Sequence, residues 1–283
     1  MKIKSTNNTI FIWSPMTSHV GTIMATMGMV NSFKRLPNFN NQIYLLNVLG
    51  EFNFIKNNKH FKILNIFNKI NLPKTGILSK ILIYFFTFLS FPILFYLVKR
   101  HKPKIIFTCL VGYLPCLLKF FFKDLKIINS IQGLPKLNYL RKFIWNFTYK
   151  KSDYLISMTN LTKNYLIQNL NINENKIIKI DNPVISKKIK LLSYEKIDEE
   201  DSHIFEKKVF CTIGRLTRQK NYLELIKAFE IYSKKNHNNS NLIILGEGEE
   251  EKMLKKYLSK KKIINCYLLG FKKNPYRYLS KSS

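Results

Sequence analysis

Residues Gly214-Arg215-Leu216-Thr217-Arg218-Gln219-Lys220-Asn221 carry the strongest chemical signal in the chain. They follow the apolar run Val209-Phe210-Cys211-Thr212-Ile213 and precede residues 222–229, whose apolar spacing is helical. A glycine and several cations therefore sit at the mouth of an expected strand-to-helix turn. Glycine lets backbone amides approach an anion, and the helix start adds favourable partial charge. Arginine can grip a phosphate with two donors, while lysine supplies a compact charge. Arg215 and Lys220 fixed there would stabilise a departing diphosphate, the kind of preorganised electrostatics that dominates much catalysis. Taken locally, the same residues also suit an ordinary solvated loop, because cations occur throughout the chain.

The elements that must position this turn alternate between short apolar runs and longer helical patterns, which predicts a parallel α/β sheet. Strands are expected over 9–13, 42–48, 62–66, 104–109, 126–131, 154–158 and 176–180, with helices over 21–35, 114–122 and 140–149. Thr159 is expected to cap a helix running to 170. The polar segment that follows carries Asp198-Glu199-Glu200-Asp201 and reads as a hinge. A second series then begins, with strands at 208–213, 241–245 and 265–269 and helices at 221–235, 249–260 and 275–279. The expected organisation is a first domain over 1–185, a hinge over 186–207 and a second domain over 208–283.

Composition narrows the functional classes. The chain has 283 residues, 46% of them hydrophobic, enough for packed cores. Four dispersed cysteines and five scattered histidines show no metal-ligand spacing and suit buried thiols in a reducing compartment. The 47 basic and 17 acidic residues give a net charge of +30, an attraction for polyanions of any kind. Lysine and asparagine are abundant everywhere, so much of this charge reflects general composition. What survives is a weak attraction to an anionic membrane surface. Nucleic acid is the less favoured partner, since no compact arginine-aromatic surface motif is present.

The polar N-terminus lacks a signal-peptide core. Residues 81–98 form an uncharged run flanked by Lys80 and Lys99-Arg100. Its length is the minimum for a membrane span. Pro92, Thr87 and Ser90 weaken that reading. A buried core helix and a monotopic docking helix remain the alternatives.

The segment from Cys211 to Leu279 resembles the donor domain of family-four glycosyltransferases of the GT-B fold. The matching motifs are Ile213–Asn221, Leu225-Ile226-Lys227-Ala228-Phe229, Leu242-Ile243-Ile244-Leu245-Gly246-Glu247-Gly248, Leu269-Gly270-Phe271 and Asn274-Pro275-Tyr276. In the first half, Lys151–Thr159 and Ile180-Asp181-Asn182-Pro183-Val184 resemble two strand ends of the same family. The resemblance implies a fold of two Rossmann-like parallel-sheet domains. It implies that Arg215 and Lys220 hold the donor diphosphate, on the loop of Gly214. It also implies that Gly246, Glu247 and Gly248 lie near the nucleotide and that Gly270 and Phe271 border its base. Val20-Gly21-Thr22 falls where such enzymes have a glycine loop that faces the donor phosphates, although a plain helix entry fits Gly21 as well.

Two departures from the family pattern stand out. Gln132 occupies the place where many relatives carry a histidine near the reacting sugar. Glutamine cannot act as a base but can donate and accept hydrogen bonds, so its expected role is positioning. A paired-glutamate segment that relatives place beyond the end of this sequence is missing, so the second domain is expected to be incomplete and activity reduced or lost.

The function so implied is transfer of a sugar, with retention, from a nucleotide-sugar to a glycan or lipid-linked acceptor in surface polysaccharide or lipopolysaccharide synthesis. It would occur in the cytoplasm, at the inner face of the membrane, with no metal or other cofactor. A non-catalytic nucleotide-binding remnant and a nucleotide-sugar epimerase are the alternative readings. Asp153 and Asp181 lie alone at strand ends and are expected to serve structure.

Overall fold

The computed structural model describes residues 9–283 except 18–20, 34, 38, 58–60, 68–75, 136, 183–186 and 238. The chain divides into two units, Met1–Val184 and Ile185–Ser283. The expected domain boundary at 185 falls outside the described residues.

The first unit is built on seven parallel strands: β1 (Thr9–Trp13), β2 (Gln42–Asn47), β3 (Phe61–Asn65), β4 (Ile105–Thr108), β5 (Lys126–Ile131), β6 (Tyr154–Ser157) and β7 (Ile177–Lys179). Their order in the sheet is β3-β2-β1-β4-β5-β6-β7. The strand order reverses between β1 and β4, and in such sheets ligands bind outside the carboxyl ends of the strands at that switch. The side-chain period of two explains the burial. On β1, Phe11 and Trp13 enter one apolar cluster while Ile10 and Ile12 enter another, so both faces of the strand are covered.

Helices cover these faces: α1 (Gly21–Phe33), α2 (Gly76–Leu89), α3 (Phe91–His101), α4 (Tyr113–Leu117), α5 (Tyr139–Lys151) and α6 (Asn160–Leu170). Thr159 caps α6 by accepting from the Thr162 amide at 3.1 Å. The uncharged run 81–98 is not one helix. Ser90 turns its hydroxyl onto the Thr87 carbonyl at 2.5 Å, and Pro92 enters the first turn of α3 without an N–H. The axis bends by 45° there. Among the described residues no single helix is long and apolar enough to cross a membrane.

Asp153 is held by structure, as its sequence position suggests. Its carboxylate accepts from Lys119 Nζ at 2.5 Å and from the Ile127 amide at 2.8 Å. Partial burial pushes its pKa up, but these bonds outweigh burial and hold the carboxyl below its usual value. Asp181 pairs with Lys179 at 2.8 Å.

The second unit has three parallel strands, β8 (Lys208–Ile213), β9 (Ser240–Leu245) and β10 (Cys266–Leu268), in the order β10-β9-β8. Leu242 and Ile244 of β9 face one cluster and Ile243 and Leu245 the other. The helices are α7 (Lys187–Ser193), α8 (Tyr222–Lys235), α9 (Glu251–Lys261) and α10 (Tyr276–Leu279).

The expected hinge over 186–207 carries regular structure from Lys187 onward. Residues 187–207 contain α7 and a 3-10 helix at Glu199–Glu206 and belong to the second unit. Their acids are the reason. Asp198 accepts from Tyr278 Oη at 2.7 Å and Arg277 Nη2 at 2.5 Å, and Asp201 pairs with Lys272 at 2.7 Å. A charge run that looked solvated finds its counter-charges on a segment some 80 positions later, a pairing that local composition does not reveal.

Candidate functional site: a cationic strand-mouth lattice

Three loops leave the carboxyl ends of β8, β9 and β10 and are laced by backbone hydrogen bonds. The Gly214 amide donates to the Leu245 carbonyl at 2.9 Å, and the Leu216 amide to the Glu247 carbonyl at 2.9 Å. The Glu250 amide returns to the Leu216 carbonyl at 3.0 Å, and the Gly246 amide reaches the Gly270 carbonyl at 2.7 Å. Strands that lie side by side thus continue as loops that still pair.

Such close crossing dictates glycine. A β-carbon on Gly246 would overlap the Gly214 carbonyl oxygen, and one on Gly248 would overlap that of Leu216. Gly246 also has φ +140°, and Gly270 has φ +67°, conformations that side chains disfavour. At Gly214 a β-carbon would stand 2.6 Å from Tyr222 Oη and 3.5 Å from Lys220 Cε. The Tyr222 hydroxyl and the Lys220 stem therefore lie over Gly214.

Leu216, fully buried, pins the first loop into the core. Its neighbour Arg215 is exposed, as is Lys220 at the end of a 3-10 turn over Arg218–Lys220. Asn221 then takes a left-handed φ of 53° and opens α8. Among the described residues, neither the Arg215 guanidinium nor the Lys220 ammonium has an acidic partner or a side-chain hydrogen bond. Two free cations above a lattice of glycines at a strand mouth can accept a diphosphate, with arginine gripping two oxygens.

The second unit thus brings together Gly214, Arg215, Lys220, Gly246, Glu247, Gly248 and Gly270. Glu247 is exposed and joins the lattice through its backbone. Phe271, beside Gly270, is largely exposed. Gly21 and Gln132 belong to the first unit. Gly21 opens α1, and a β-carbon there would meet nothing within 4 Å, so no close approach demands glycine. Val20 lies outside the described residues.

Gln132 lines a cavity of about 330 Å³ at the carboxyl ends of β4 and β5. Its amide nitrogen donates to Ser130 Oγ at 2.7 Å, and its oxygen accepts from Asn182 Nδ2 at 3.3 Å. The side chain is therefore held in one orientation. Three further cavity residues escaped sequence reasoning: Asn129, Arg141 and Trp145. Asn129 is buried, bonds to Thr108 and Ser152, and crowds Gly112 so closely that any side chain there would collide. Its signal was visible as a polar residue inside the apolar strand Ile127-Ile128-Asn129. The Trp145 indole nitrogen is buried and has no hydrogen-bond partner among the described residues. A ligand acceptor atom in the cavity would satisfy it. Cys109 also lines the cavity, but burial pushes its thiol up to about 12, far from a thiolate at neutral pH.

Among the described residues, one trio of carboxylates is close enough to share a cation: Asp198, Glu200 and Asp201. Lys272 already pairs with all three, so the cluster reads as an ionic clasp.

The chain is similar to several known proteins. An uncharacterized glycosyltransferase of Methanocaldococcus jannaschii is 31% identical over 204 residues, covering 66% of this chain and 50% of that protein. The chain thus spans about half the length of this curated relative. Among solved structures, Anabaena HepE in complex with UDP superposes with a TM-score of 0.68 at 12% identity, over 97% of this chain and 72% of that one. A glycosyltransferase from Rickettsia africae gives 0.68 at 15% identity, over 98% and 72%. The UDP-GlcNAc 2-epimerase of Neisseria meningitidis bound to UDP-GlcNAc gives 0.58 at 15% identity, over 97% and 75%. These likenesses show the fold, which is GT-B. Residues 193–283 match the family model described as glycosyl transferases group 1.

Proposed function

We propose that this chain is the catalytic framework of a glycosyltransferase that moves a sugar, with retention, from a nucleotide-sugar to a glycan or lipid-linked acceptor. The observation that carries the reading is the pair Arg215 and Lys220, exposed and unpartnered beside the Gly214–Gly246 crossing. These cations take the donor diphosphate, and Gly246, Glu247, Gly248, Gly270 and Phe271 form the nucleotide side of the same mouth. The solved structures carrying UDP or a UDP-sugar make a UDP-sugar the first donor to test.

In the retaining step, the anomeric carbon–oxygen bond to the diphosphate breaks while the acceptor oxygen bonds to the same face. The acceptor proton passes to the leaving diphosphate. Arg215 and Lys220 neutralise the charge that develops there, so the reaction calls for no metal. Gln132, held by Ser130 and Asn182, positions a ligand in the first-unit cavity and moves no proton.

The test is release of nucleoside diphosphate from a panel of nucleotide-sugars, with and without acceptor glycans, using the protein that contains this chain. Acceptor-dependent release that disappears in Arg215→Ala and Lys220→Ala, both still folded, supports the reading. Near-normal turnover in both variants contradicts it. The likeness to an epimerase gives a second reading, in which the same cations hold the donor while its sugar is isomerised. Conversion of donor without any acceptor would favour that reaction.

A further inference from the structure

Helix α2 is amphipathic in the inverted sense. Its buried positions include the polar Ser79 and Thr87, 4% and 0% exposed, while Leu78, Ile81, Phe85 and Phe88 are 54–66% exposed. The inner polar groups are satisfied: Ser79 Oγ meets Thr17 Oγ1 at 3.1 Å, and Thr87 bonds to the Ile83 carbonyl. The outer residues recur at intervals of three and four and form a single stripe. A helix against water places its residues the other way round.

The stripe has a neighbour. Tyr84 of α2 lines the same cavity as Arg141 and Trp145 of α5. The first turns of α5 expose Leu140 and Phe143, the latter 72%, interleaved with the exposed cations Arg141 and Lys142. At the far end of the bent pair, Lys99, Arg100 and Lys102 are exposed. Charge identifies the occupant. No aspartate or glutamate occurs from Phe52 to Lys123, and residues 1–184 hold 25 Lys+Arg against 5 Asp+Glu, a net +20.

We infer that this face docks on an anionic phospholipid surface, with the α2 stripe and the start of α5 entering the headgroup boundary and the flanking cations meeting lipid phosphates. Apolar insertion combined with anionic attraction is the two-part signal that stable interfacial binding requires. The bent pair lies on the surface and does not span it, because Leu94 and Val98 of α3 are fixed in the core against the sheet. Since Tyr84, exposed beside the stripe between Ile81 and Phe85, also lines the cavity wall, the cavity opens beside the lipid. On the transferase reading, that favours a lipid-linked acceptor over a free glycan.

The test is co-flotation of the full chain with vesicles, in the absence of nucleotide, so its failure is separate from failure of the transferase reading. Vesicles of phosphatidylcholine are compared with vesicles containing roughly one-third phosphatidylglycerol. The expected result is binding to the anionic vesicles that falls about tenfold or more in Ile81→Ser/Phe85→Ser/Phe88→Ser. Leu140→Ser/Phe143→Ser is the second variant, and it decides the matter should the first fail to fold by circular dichroism. The inference is overturned by no binding of the wild-type chain, or by wild-type binding in a folded variant, which would mean charge attraction alone. Loss of lipid-free self-association in a variant whose vesicle binding is unchanged would overturn it too, marking the face as a protein interface.

Discussion

Gly246 faces Gly214 across the loops that leave β9 and β8, its α-carbon so near the Gly214 carbonyl oxygen that no β-carbon fits between them. This contact holds the cationic turn in place. The Gly214 and Leu216 amides are spent on Leu245 and Glu247, which fixes the path of the loop and leaves Arg215 facing outward.

Gly246→Ala should therefore damage the site through the backbone. The new methyl meets a carbonyl, and φ +140° is strained for alanine. A loss of about 1–3 kcal/mol in stability is expected, together with weaker nucleotide binding. Gly21→Ala is the control, because space is open there. Chemical denaturation of both variants checks this, and equal stability of the two would contradict the role given to the crossing.

The clasp around Asp198 ties Asp198–Asp201 to Lys272, Arg277 and Tyr278 within the second unit. Hydrogen bonds from Tyr278 and Lys272, with Arg277 beside them, hold the Asp198 carboxyl down at about 2. A depressed carboxyl contributes stability that is present above its unfolded value of 3.8 and lost as pH falls through about 2. Asp198→Asn should melt earlier than wild type at pH 7, and the gap should close as the pH approaches 2. A gap that stays constant over that range would show that the pairing is not the cause.

Glu51 behaves in the opposite sense. It is fully buried and accepts from the Val48 and Leu49 amides at 3.0 and 2.7 Å. Burial pushes its pKa from 4.5 to about 8, the backbone bonds only partly offsetting it. Its folded value exceeds its unfolded one, so its contribution is complete below about 4.5 and is lost as pH rises through about 8. Stability measured from pH 5 to 9 should decline at this position in the wild type and lose that slope in Glu51→Gln. An unchanged slope in the variant would contradict the assignment.

Much of this fold was legible because its strands are buried on both faces and read as continuous apolar runs. β1 and β5 fall at their expected bounds for that reason, and β8 does so as an apolar run although it is an edge strand with only Val209 buried. The turn from Gly214 to Asn221 was legible because glycine, cations and a helical period follow one another directly. What escaped depends on distant partners. The break at Ser90 uses a serine hydroxyl that could as well have faced outward, and the acids at 198–201 are neutralised by Lys272 and Arg277. The cavity beside Gln132 is assembled from α2, β4, β5 and α5, and no local motif marks it.

Gln132→Ala offers a way to separate the two candidate sites. Removing the amide frees Ser130 and Asn182 but leaves the cationic turn untouched. Acceptor-dependent turnover should fall about tenfold or more while affinity for nucleotide is unchanged, since the loss is one of positioning. A parallel loss of nucleotide affinity would assign Gln132 to the donor instead.

If Arg215 and Lys220 hold the donor diphosphate, calorimetric titration of the chain with UDP reads their contribution without any acceptor. Each cation removed should cost about 1.5–3 kcal/mol of binding, roughly tenfold to a hundredfold in affinity, with heat-unfolding midpoints unchanged. Arg215→Ala and Lys220→Ala should each weaken UDP binding in this way, and the double variant should show none. Wild-type affinity for UDP in the folded double variant would contradict this assignment.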